Sequence, residues 1–245
     1  MLENYLVLIY LSLIIALQSS IGIGVLVLGT PFLLLLGYKI LEIFFILLPI
    51  SILTSIINLI IIKLSNKNLS VSSNKGLSKF FIVCMPSIII GLIILKYYEE
   101  YINFKLLVSL IIIFSILLVL LKDRIKVRVN FFRISILSVI GIIHGLTNSG
   151  GSLMSLALSS KNKKDNARYR ITFFYFLLAS SHYLMTVIIF KDLFFLPNNI
   201  YLILALFSGV FFGNIFVKYI NENSYKLIIN VLAIISSILL ISDIR

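Results

Sequence analysis

From Gly141 to Ser160 the chain reads GIIHGLTNSGGSLMSLALSS, apolar at both ends and interrupted in the middle by polar and glycine residues. A fainter copy, ALQSSIGIGVLVLG, lies at Ala16 to Gly29. Each glycine inside a helix costs about 1 kcal/mol relative to alanine. Lipid offers no water to unpaired backbone groups, so irregular chain at membrane depth must be buried in protein or line a cavity. Two apolar segments interrupted in corresponding places are the sequence mark of a secondary transporter's binding site.

The surrounding composition fixes the lipid setting. Of the 245 residues 60% are hydrophobic and 12% charged, and the mean hydropathy is +1.14. Those values place the chain among all-α polytopic membrane proteins, outside the soluble range. The opening Met1-Leu2-Glu3-Asn4 has no basic n-region, so the first apolar segment is expected to be retained. A formal charge of +12 would suggest a nucleic-acid partner in a soluble protein. Here the basic residues lie in short loops between apolar runs, where they set membrane orientation, and the expected partners are the lipid bilayer and a small solute.

Eight apolar segments follow in order: Tyr5–Leu36, Ile40–Ile62, Leu77–Leu95, Phe104–Leu121, Ile134–Ser160, Ile171–Phe190, Ile200–Val217 and Leu227–Ile241. Most match a bilayer-spanning helix of about 20 residues. The first and fifth would be about 48 Å and 40 Å long as straight helices, against a hydrocarbon core of about 30 Å, and they are the two that carry the interruptions. A shift of 126 aligns Gln18 with His144, Gly24 with Gly150, Glu42 with Arg168 and Thr54-Ser55 with Ser180-Ser181. The chain is therefore expected to hold two repeated transmembrane halves, residues 1–121 and 134–245, joined by a basic linker at 122–133.

Lysine and arginine counts decide how the broken segments cross. With all eight segments spanning, the 21 basic residues divide almost evenly between the two faces. If the fifth segment is instead re-entrant, turning back near Asn148-Ser149-Gly150, sixteen fall on one face. Only Lys39, Lys96, Lys105, Lys191 and Arg245 remain opposite, which satisfies the positive-inside rule. The repeat extends the same reading to the first segment, giving two hairpins that enter from opposite faces with their tips near the midplane.

A hairpin tip presents free N–H groups at the start of its second arm, a partial positive charge suited to an anion. Gly22, Gly24, Gly150 and Gly151 leave room for approach, and Ser20, Thr147, Asn148, Ser149 and Ser152 can donate hydrogen bonds. Close helix packing through small residues is the competing account, and it is the preferred one for Gly29 and Gly141. No fixed charge lies at the centre of a segment, which argues against a pump or an acid-lined cation channel. His144 and His182 are the only histidines. Each is read first as structural; the sharper reading has His144 hydrogen-bond the solute or carry a proton with it. Two histidines and the single Cys84 supply neither a zinc site nor a disulfide. Without a positioned acid there is no hydrolytic triad, so no enzyme activity and no cofactor are expected.

Gly22-Ile23-Gly24 with Pro31 downstream, then Gly145-Leu146, Ser149-Gly150-Gly151 and Ala167-Arg168, resemble the duplicated glycine motifs of the TauE/SafE family of sulfite and organosulfur-anion permeases. The segment pattern is similar over essentially the whole chain. The resemblance implies transport of a small sulfur-containing anion, with the glycine-rich tips forming the site. The sequence departs from the motif at Val25 and Leu26, where a longer glycine run is common, and at Ala157, which stands where the first copy has Pro31. The alternative of another class is a membrane scaffold or assembly partner whose small residues serve packing alone.

Overall fold

Polar side chains are buried here within an apolar core, and large apolar ones cover the outside. Gln18, Ser51, Asn58, His144 and His182 have no accessible surface, whereas Leu6, Ile82 and Phe211 are 71%, 69% and 63% exposed. In water that arrangement would be prohibitive, and in lipid it is what burial of polar groups demands. A computed structural model describes residues 5–21, 25–65, 69, 74–125, 134–151, 153–154, 164–191, 200–219, 231, 234–235 and 237–243. Its helices are α1 (Tyr5–Ile21), α2 (Val25–Leu35), α3 (Ile40–Ser65), α4 (Asn74–Lys79), α5 (Met85–Tyr98), α6 (Phe104–Ile125), α7 (Ile134–Thr147), α8 (Lys164–Phe190) and α9 (Ile200–Phe216). There is no strand among the described residues, and the chain is an all-α polytopic membrane protein.

Local sequence accounts for the joints. One π-helical turn, Phe80–Cys84, links α4 to α5, and Pro86 follows in the first turn of α5, where its missing N–H is not needed. Gly37, at φ +83°, ends α2: Tyr38 N–H reaches the carbonyl of Leu33 and Gly37 N–H that of Leu34, the Schellman pattern. Glu42 reaches back to the N–H of Lys39 at 2.9 Å and closes the start of α3. Asn103 caps α6 through the N–H of Leu106.

The first broken segment is two antiparallel arms. Tyr10 of α1 stacks on Phe32 of α2, ring centroids 3.6 Å apart, and its hydroxyl donates to the carbonyl of Leu28 at 3.0 Å. In one straight helix Tyr10 and Phe32 would lie about 33 Å apart, so α2 runs back along α1. At the second break a Cβ on Gly150 would come within 2.5 Å of the carbonyl of Ile140, so the chain folds back onto α7 after Thr147.

Three helix pairs then build the bundle: α1 along α9, α5 along α7, and α3 along α8. Small residues permit the first two. Gly209 and Gly213 lie against the carbonyls of Ser12 and Ala16, while Gly141 and Gly145 lie against those of Cys84 and Ile88. The third pair is antiparallel: Phe44 meets His182 at one end, and Asn58 is tied through Asn214 to Arg168 at the other.

Four of the five basic residues assigned to the sparse face, Lys39, Lys96, Lys105 and Lys191, lie at one end, and Arg245 lies outside the described residues. Lys96 donates to the carbonyl of Ile189, two residues before Lys191, and Lys105 pairs with Asp243 at 2.6 Å. Lys39 and Lys105 line one surface cleft. With every segment spanning, Lys105 and Asp243 would fall on opposite faces. Tyr97, Tyr98 and Tyr101 are exposed at the same end, placed as an aromatic belt would be.

Two boundaries differ from the hydropathy reading. α8 begins at Lys164, seven residues before the apolar run, so Arg168 and Arg170 are helical and not part of a loop. α6 continues to Ile125, four residues into the stretch read as linker. In both cases hydropathy marks where lipid-compatible side chains stop, while the backbone hydrogen bonds continue one or two turns further.

Candidate functional site

At the second tip, α7 ends in a turn built by its own side chains. Thr147 donates its hydroxyl to the carbonyl of Ile143 at 2.8 Å and accepts from the N–H of Ser149; the Ser149 hydroxyl donates to the carbonyl of Thr147. Asn148 N–H still bonds the carbonyl of His144 at 2.8 Å, but its φ is 62°, the left-handed region an asparagine tolerates better than most residues. The second arm starts at once, with Met154 N–H on the carbonyl of Gly150. Both glycines are required by close approach. A Cβ on Gly150 would meet Ile140 and His144, and one on Gly151 would run into the Tyr175 hydroxyl.

Around this turn buried polar atoms go unmatched. Both ring nitrogens of His144 and of His182, both amide atoms of Asn148, and the hydroxyls of Tyr175, Thr172 and Thr54 have no hydrogen-bond partner among the described residues. Orphaned buried polar groups are rare and each calls for an explanation, because each forfeits about 1–3 kcal/mol of lost hydration. They are not scattered. Thr172, Tyr175 and His182 lie at i, i+3 and i+10 on α8, a single stripe along one face, which Thr186, its hydroxyl bonded to the His182 carbonyl, continues. The His182 ring sits 4.8 Å from that of His144 and 4.5 Å from that of Phe44. In the antiparallel register of α3 and α8, Thr54 falls level with Thr172.

The first tip is built differently. Gln18, the counterpart of His144 in the repeat alignment, accepts from the N–H of Val25 at the start of α2 and donates to the carbonyl and hydroxyl of Ser51 and the hydroxyl of Ser55. Its amide closes the mouth of that hairpin. Ser20 spends its hydroxyl on the carbonyl of Ala16. Ser19 joins a ring of bonds. Asn58 donates to its hydroxyl, Asn214 donates to Asn58, and Arg168 donates both to Asn214 and to the backbone carbonyl of Ser19.

Of the ten residues singled out in the sequence, His144, Thr147, Asn148, Ser149, Gly150 and Gly151 are brought together at the second tip, and Ser20 stands at the first. Gly22, Gly24 and Ser152 lie outside the described residues. The hydroxyls of Thr147 and Ser149 are engaged within the turn, which leaves Asn148 and His144 as the tip's available polar groups. Sequence reasoning passed over Tyr175, and the signal that could have found it is its spacing of seven from His182, two helical turns on one face.

The sulfite exporter TauE/SafE family model matches residues 7–240, nearly the whole chain. The chain belongs to the TauE/SafE family. No curated protein and no solved structure matches it. The match covers both broken segments and all three helix pairs. An integral membrane protein of a transporter family, with unpartnered polar groups in its interior, has the parts that moving a small anion through lipid requires.

Proposed function

We propose that this TauE/SafE protein is a cell-membrane permease for a small sulfur-containing anion such as sulfite or a sulfonate, and that the solute is held at the second hairpin tip. The observation that carries the reading is the cluster of unpartnered buried donors and acceptors on Asn148, His144, Tyr175, His182, Thr172 and Thr54. A compact oxyanion can satisfy several of them at once.

Alternating access supplies the mechanism. Residues 1–121 and 134–245 act as two inverted repeats, and the helix pairing supports this: exchange of the halves turns the α1–α9 pair into the α7–α5 pair and α3–α8 into itself. The second arm of the first broken segment is half-length. The 11 residues of α2 rise about 16 Å, half a hydrocarbon core, as a re-entrant arm should. Rocking of one half against the other would expose the tip to each face in turn.

The test is the melting temperature of the purified protein against sulfite, sulfonates, thiosulfate, sulfate, carboxylates, phosphate and chloride at matched ionic strength. A ligand at about 100 times its dissociation constant adds about 2.7 kcal/mol to the folded state. Stabilisation by sulfur oxyanions, reduced in Tyr175→Phe, is the expected result. A flat response across the panel sinks the reading and favours a scaffold.

A further inference from the structure

Two imidazoles face each other in the interior, ring centroids 4.8 Å apart and planes inclined at 69°, each with no accessible surface and no hydrogen-bond partner on either nitrogen. His144 is one turn before the strained Asn148 of the hairpin tip, and His182 projects from α8, so the pair bridges the two elements that line the proposed solute site. Purely structural histidines normally donate one N–H to a carbonyl or carboxylate, which fixes the tautomer. These do not. An ionisable residue within the membrane is by default a candidate functional group, proton relays among the functions it marks.

The surroundings bear on what such a pair can hold. α1, α3, α5, α6 and the π-turn pack on α7 and α8. From Ile43 to Ile62 α3 carries no titratable group, nor does α5 from Met85 to Leu95. Cys84 in the π-turn, Tyr10 on α1, and Tyr175 and Tyr183 on α8 are the neutral titratable groups within these elements, with Tyr5, Tyr97, Tyr98 and Tyr169 nearer the helix ends. Glu42, Lys63, Lys96, Lys105, Lys122, Asp123, Arg124, Lys164 and Asp165 stand at helix ends; Arg170 and Arg168 are 12 and 14 residues from His182, about 18 and 21 Å along α8, and Arg168 is held by Ser19 and Asn214. The side chain that meets the pair from α3 is the apolar ring of Phe44. No fixed positive charge among the described residues therefore stands beside the imidazoles to balance an anion brought to the tip. A lone anion in such a place is heavily penalised unless paired.

We propose that His144 and His182 together store one proton per transport cycle, so that the anion and a proton cross the membrane as a neutral pair. This rests on the transport reading above and adds the coupling ion to it. A proton from the entry side binds one imidazole nitrogen, and the resulting imidazolium offsets the monoanion at the tip. The second imidazole, too close to take a second positive charge, accepts a hydrogen bond from the first. When the site opens to the other face, the anion leaves and the proton departs to water, returning both rings to the neutral form. One anion and one proton have moved in the same direction, and no net charge.

The experiment uses the full chain in proteoliposomes with a short-chain sulfonate, which has no proton of its own to lose near neutral pH, and a trapped pH dye. With the outside near pH 6 and the inside near pH 8, the range over which imidazoles change charge, initial uptake should rise at least about tenfold over equal pH. One proton should enter per sulfonate, and clamping the membrane potential should change nothing. In His144→Gln and in His182→Gln the ratio of gradient-driven to equal-pH uptake should fall towards one, a ratio that does not depend on how much protein inserts. Saturable uptake that ignores the pH gradient and follows the membrane potential overturns proton coupling while leaving the permease intact; so does an undiminished ratio in both variants. If either variant fails to fold, the wild-type proton count decides alone. An absence of saturable uptake of any sulfur anion removes the permease reading and this one with it.

Discussion

Arg168 donates its guanidinium to the backbone carbonyl of Ser19, 149 residues earlier in the chain, at the C-terminal end of α1. A cation at a helix C-terminus meets both an orphan carbonyl and the negative end of the dipole. The same guanidinium reaches the side-chain oxygen of Asn214 at 2.8 Å, and Asn214 and Asn58 complete the ring back to Ser19. Four helices, two from each proposed half, are tied at one level.

Breaking that ring should cost stability more than it costs solute binding. Hydrogen bonds to a charged group contribute about 1.5–3 kcal/mol, so Arg168→Ala should destabilise the protein by about 2–3 kcal/mol in a denaturant titration. Asn214→Ala should add much less in the double variant than it costs alone, because the two act as a unit. Both bonds leave the single nitrogen Nη2, so lysine, whose ammonium carries three donors, should recover part of the loss. Additive costs would show that the ring is not one network.

Tyr175→Phe separates binding from folding. The ring remains in place and only the unpartnered hydroxyl is removed, so the ligand-free protein should keep its stability or gain slightly. Loss of one hydrogen bond to a bound oxyanion should weaken affinity about tenfold, equivalent to about 1.4 kcal/mol. Calorimetric titration of the wild type and variant with sulfite checks both statements. Equal affinities would take the hydroxyl out of the site.

The glycines of the tip cannot do this job. Gly150→Ala drives a methyl group into the Ile140 carbonyl and the His144 Cβ, at 2.5 and 2.7 Å, and neither backbone nor Cβ can swing away. A cost of about 1–3 kcal/mol is expected for such overpacking, so lost transport in that variant would report folding as much as function. A thermal melt of ligand-free Gly150→Ala that matched the wild type would show that the turn can move.

How much of this was visible in the chain varies with the kind of signal. Hydropathy gave the helices, because lipid-facing residues must be apolar, and length marked the two interrupted segments, because a helix of about 48 Å cannot fit the core. Lysine and arginine counts pointed to the grouping of Lys39, Lys96 and Lys105 seen at one end. The helix pairs were not legible, since they depend on which glycine meets which carbonyl, as at Gly145 and Ile88 or Gly213 and Ala16. Nor was the difference between the tips. Gln18 and His144 align in sequence, yet one side chain finds five hydrogen bonds and the other none, because serines on α3 face the first while a second imidazole, itself against Phe44, faces the second. Arg168 looked like a loop charge for the reason given above: hydropathy ends before the helix does.

That difference yields the last prediction. Gln18 closes the first hairpin by accepting from the N–H of Val25 at 3.2 Å and donating to the Ser51 carbonyl at 3.2 Å. Gln18→Leu keeps much of the volume but leaves a buried N–H, a carbonyl and two hydroxyls without their partner. Each unsatisfied group costs about 1–3 kcal/mol, partly recovered as the serines bond back to their own helix. A loss of about 2–4 kcal/mol is expected, with sulfite affinity in the surviving folded protein within about twofold of the wild type, since the solute sits at the other tip. His144→Leu should do the reverse, replacing two orphan nitrogens by hydrocarbon at little cost in stability while weakening the anion. Denaturant midpoints and sulfite titrations on both variants decide it. If Gln18→Leu loses the anion and keeps its stability, the solute sits at the first tip, and the assignment of the site to Asn148 and its neighbours fails.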